Sequence, residues 1–90
     1  MPDYNWEDKS PLGHMTRYYI SAIESAKAHD YLRMLAMYGA GVATEVRSLH
    51  AMRDHARRVQ FITVRSEKIH ELARILDEQC KMARGTKGVF

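Results

Sequence analysis

Ninety residues, 46% hydrophobic and 28% charged, suit a single globular domain and argue against a chain disordered throughout. A net charge of +3 and a pI near 9.2 lean toward anionic partners without choosing between nucleic acid and an acidic protein. The one cysteine, Cys80, excludes an internal disulfide and a cysteine zinc framework, and it fits a reducing compartment such as the cytoplasm.

The opening stretch, Met1 to Asp8, is acidic and lacks the apolar run of a secretory leader, so residues 1–10 are read as a polar arm carrying Tyr4 and Trp6. Ser10-Pro11 is a helix start: a serine hydroxyl can accept from an orphan N–H, and proline suits the first helical position. The first helix then carries an apolar stripe at Met15, Tyr19, Ala22, Ile23 and Ala26, the spacing of one face of a 3.6-residue period. The phase breaks at His29-Asp30, which a turn with Asp30 as a new N-cap explains best; the alternative is one continuous helix to Met37 that ends at Gly39, with a new helix capped by Thr44.

A second apolar set follows at Tyr31, Leu35, Tyr38, Val42, Leu49, Met52, Ala56 and Val59. Between Tyr31 and Val46 the run is apolar but too short to span a bilayer, and it reads as a core helix. Gly39 and Gly41 leave two readings open, a break between helices or a close helix contact. No glycine or proline lies between Gly41 and Gly85, and helix formers dominate from Thr44 to Arg58. The β-branched run Phe61-Ile62-Thr63-Val64, followed by Ser66 as an N-cap, predicts a turn or kink near 61–66. A last helix carries a narrow seam at Ile69, Leu72, Ala73, Leu76, Cys80 and Ala83, with spacing like a coiled-coil seam. Gly85 is expected to end it, leaving residues 85–90 as a flexible tail.

These elements predict an all-α fold, a small bundle of three or four helices over residues 11–84. The narrow final seam predicts that homo-oligomerisation completes the core, with Ile69, Leu72, Leu76 and Cys80 at the interface.

One face of the middle segment is chemically distinctive. Projected at about 100° per residue, Arg47, His50, Arg53, Asp54, Arg57, Arg58, Phe61 and Arg65 fall within about 140° of arc. Residues 47–65 hold five arginines against one acid and no lysine. A guanidinium presents a planar fork of donors that matches carboxylate and phosphate. A solvated helix face is the plainer account of such a stripe, and pairing of Asp54 with Arg57 or Arg58 would weaken a binding role.

Other chemistry has less support. His50 and His55 lie about 140° apart on a helix, unlike the i, i+4 pair of a metal helix. Cys80 on the apolar seam reads as a structural thiol. No Gly-rich phosphate loop is present. Tyr18, Tyr19, Tyr31 and Tyr38 read as core-edge residues. The expected protein is therefore a non-enzymatic helical module without metal or cofactor. It would bind an acidic protein partner through Arg47, His50, Arg53, Arg57, Arg58 and Arg65, as an adaptor, inhibitor or regulator. The alternatives are nucleic-acid binding through the same face and a small anionic ligand held at an oligomer interface. No membrane partner is expected.

Overall fold

A computed structural model describes residues 9–85. The sequence expectations for the arm before Lys9 and for the tail after Gly85 lie outside them. Three helices follow one another: α1 over Pro11–Lys27, α2 over Tyr31–Ala51 and α3 over His55–Gly85. No strand and no fourth helix occurs among the described residues.

Helix α1 begins as the sequence predicts. Ser10 is the N-cap, its Oγ accepting from Gly13 N at 3.1 Å, and Pro11 opens the first turn. The α1–α2 turn is compact. Asp30 N donates to Ser25 O and His29 N to Ala26 O, the paired bonds of a Schellman ending. His29 holds the left-handed position at φ 59°. Asp30 then turns from helix terminator to helix starter, its carboxylate accepting from Arg33 N.

Helix α2 runs unbroken through Gly39 and Gly41, which resolves the open reading there. A Cβ placed on Gly41 would lie 2.8 Å from Tyr19 Cε1, so Gly41 exists for the close approach of α1 to α2. Gly39 has nothing within 4 Å of such an atom.

The continuous middle helix of the sequence reading is corrected: the chain breaks at 52–54 and not at 61–66. Met52 is extended (φ −97°, ψ 131°), and Asp54 caps the start of α3, its carboxylate accepting from Ala56 N. Across this break Arg58 Nη1 donates to Leu49 O and Met52 O, satisfying carbonyls at the end of α2. Ser66 sits inside α3, and the β-branched run around Phe61 is helical because Phe61 is buried; tertiary packing outweighs a weak local preference.

Helices α2 and α3 run antiparallel, and α1 packs against both. One apolar cluster joins Met15, Tyr19 and Phe61, with Leu49 and Met52 against it. A second joins Ala22, Ile23, Ala26, Met34 and Leu72, with Leu76 against it. The molecule measures 52 × 24 × 22 Å, elongated along the 31-residue α3.

Candidate functional site: a basic corner where α2 meets α3

The ends of the bundle differ in charge. The start of α1, the end of α2 and the start of α3 come together at one end, where Met15, Leu49, Met52 and Phe61 pack. Residues 9–20 and 44–65 hold Lys9, Arg17, Arg47, Arg53, Arg57, Arg58 and Arg65 against only Glu45 and Asp54. Residues 21–43 and 66–84 hold six cations and six carboxylates. The positive charge of the described residues therefore resides at one end.

The predicted arginine face is not one surface. Arg47 and His50 project from the last turns of α2, Arg53 lies in the turn, and Arg57, Arg58 and Arg65 belong to α3. Phe61, projected onto that face, is buried in the core. Arg58 is half-buried and bound to the α2 carbonyls. Arg65 Nε, on a half-buried side chain, donates to the buried Glu45 Oε2 at 2.7 Å. Arg47, His50, Arg53 and Arg57 are exposed, with His55 beside them. His55 and Arg57 stand in the first turn of α3, which holds no acidic side chain, so the Arg57 charge adds to the positive end of the helix dipole. Asp54 is occupied by capping.

A shallow groove between α1 and α2 extends this corner, lined by Pro11, His14, Tyr18, Thr44, Arg47 and Ser48. His14 Nδ1 and Arg17 Nη2 lie 2.9 Å apart on its α1 side. Tyr18 is half-buried with one edge toward the groove, and it was not singled out among the binding residues in the sequence.

The interior beneath the corner is a polar relay that sequence reasoning missed. Glu45, 5% exposed, accepts from the Tyr19 hydroxyl at 3.1 Å and from Arg65, tying all three helices together. Burial, and then the Glu45 charge and hydrogen bond, push the Tyr19 hydroxyl well above the usual phenol range. The available signal was Glu45 itself, the one acid inside the apolar run Tyr31–Val46. No buried side-chain nitrogen or oxygen of the described residues lacks a partner.

The residues expected at an oligomer seam are divided. Leu72 is buried against α1 and α2, Leu76 is half-buried on the same cluster, and Ile69 is half-buried. Cys80 is exposed on the single chain. Among the described residues no three His, Cys, Asp or Glu side chains gather as a metal cluster, and no helix is long and apolar enough to cross a membrane. No protein-family model, curated protein or solved structure matches the chain.

Proposed function

We propose that the chain is a non-enzymatic helical binding module that engages an acidic segment of a protein partner through the basic corner of Arg47, His50, Arg53, His55 and Arg57. One observation carries this reading: the exposed arginines Arg47, Arg53 and Arg57 gather near the positive end of α3, with His50 and His55 beside them, while among the described residues the exposed acid of the corner, Asp54, is used as a cap. Like charges at a helix N-terminus are unfavourable in isolation, and a bound carboxylate relieves them. The scaffold beneath is fixed by Arg58 and Arg65, whose guanidinium groups hold the α2–α3 junction and the interior relay. Exposed Val59 and Ile62 lie on the His55 side of α3, away from Arg57, and supply apolar surface that suits a protein interface better than a phosphate backbone.

The test is fluorescence anisotropy with a labelled Glu/Asp-rich peptide and, in parallel, a labelled DNA duplex. The peptide should bind with an affinity that falls modestly with salt, and the double reversal Arg53→Glu/Arg57→Glu should abolish it without altering the circular dichroism spectrum. A duplex bound more tightly, with a steep log-linear salt dependence, would assign the corner to nucleic acid instead.

A further inference from the structure

The outward face of α2 is apolar and unpartnered, and its pattern is symmetric. Leu32, Leu35, Gly39, Ala43 and Val46 follow one another at spacings of 3, 4, 4 and 3, a palindrome about Gly39. Leu32 is 81% exposed, Leu35 59% and Val46 61%. The charged residues of this stretch are Arg33, on the flank, and Glu45, turned inward. Gly39 has no packing role within the chain, unlike Gly41, although a glycine inside a helix weakens it.

We infer that this face is the interface of a homodimer, formed by two α2 helices crossing antiparallel about a two-fold axis at Gly39. That axis sets residues whose numbers are mirror images about 39 against each other. Leu32 meets Val46 of the second copy, Leu35 fits over its Ala43, and two glycines face each other where the helices cross. Large side chains thus oppose small ones, and the missing Cβ atoms permit a close approach of the backbones.

Charge favours a second copy in this orientation. The α2 helix starts at the balanced end of the bundle, near Asp30 and Glu24, and finishes at the basic end, near Arg47 and His50. An antiparallel crossing lays the basic end of each copy over the balanced end of the other, opposes the helix dipoles and keeps the two basic corners apart. A parallel pair would bring both corners together. A single helix crossing covers less than the roughly 800 Å² per partner of a standard interface. Association is therefore expected on the order of 10–100 µM.

Sedimentation from about 5 to 500 µM tests this. The wild-type chain should pass from monomer to dimer. Leu35→Glu should weaken dimerisation at least about tenfold with unchanged helix content, and Gly39→Leu, whose Cβ meets nothing within 4 Å in the monomer, should do the same. Neither should alter binding of the acidic peptide, so failure here is separable from failure of the proposed function. In a Cys80→Ser background, oxidised Gly39→Cys should form a covalent dimer. Leu32→Cys should cross-link only when mixed with Val46→Cys. A wild-type chain monomeric at the highest concentration, or self-association untouched by Leu35→Glu and Gly39→Leu, would overturn the inference.

Discussion

At the scale of single residues, two glycines two positions apart carry opposite consequences. On Gly41 a methyl group would meet the Tyr19 ring at 2.8 and 2.9 Å, too close for the buried ring to ignore. Overpacking of this kind costs about 1–3 kcal/mol, which outweighs the better helix propensity of alanine. Gly41→Ala should therefore destabilise the fold by about 1–2 kcal/mol in chemical denaturation. Gly39→Ala meets open space and should stabilise it by about 0.5–1 kcal/mol, measured at low micromolar concentration. The sequence shows both glycines but not which one touches a ring, because that depends on how α1 crosses α2.

Tyr19 offers a second test at the same scale. Its hydroxyl is held protonated by burial and by Glu45, so its ionisation in the folded state lies above that in the unfolded chain. Unfolding then releases a proton once the pH exceeds the ordinary tyrosine value of about 10. The contribution is fully present below that value and is lost as pH rises beyond it. Stability of the wild type should fall more steeply between about pH 9.5 and 11.5 than that of Tyr19→Phe, which cannot ionise. At neutral pH the variant should be less stable by about 1–2 kcal/mol, since the buried Glu45 carboxylate loses a donor. Parallel pH profiles for the two proteins would contradict this.

At the scale of elements, the helix ends explain what was legible in the sequence. Ser10-Pro11 and Asp30 announce α1 and α2 by local chemistry, and both occur where the sequence places them. The α2–α3 break lacks glycine and proline, and what holds it is a distant contact, Arg58 reaching back to Leu49 O and Met52 O. Asp54 was the local clue, an N-cap hidden in an arginine-rich run. The expected turn at 61–66 failed for the converse reason: its β-branched residues are poor helix formers, but Phe61 is anchored between α1 and α2. Removing the cap with Asp54→Ala should cost about 1 kcal/mol. His29 is a non-glycine residue in the left-handed region, but its ring contacts Tyr31 edge-on and hydrogen-bonds its hydroxyl at 2.9 Å, so His29→Gly should stabilise by less than the roughly 1 kcal/mol of relieved strain. Thermal melts of both variants check these signs.

At the scale of the whole molecule, the consequential feature is the separation of charge along a long bundle. Composition reports only a net +3 for the whole chain, whereas among the described residues the positive excess lies at the end where three helix termini meet. The predicted stripe was partly legible: its arginines do cluster, but Arg58 and Arg65 hold the scaffold while Arg47, Arg53 and Arg57 face outward. A helical projection assumes one continuous helix, and so it could not reveal that the basic surface turns a corner. Backbone amide chemical-shift mapping during titration with a Glu/Asp-rich peptide tests the central claim most directly. The account predicts shifts centred on Arg47, His50, Arg53, His55 and Arg57, fading across Glu67 and absent around Asp77 and Glu78. Shifts centred on the outer half of α3, or none at saturating peptide, would contradict it.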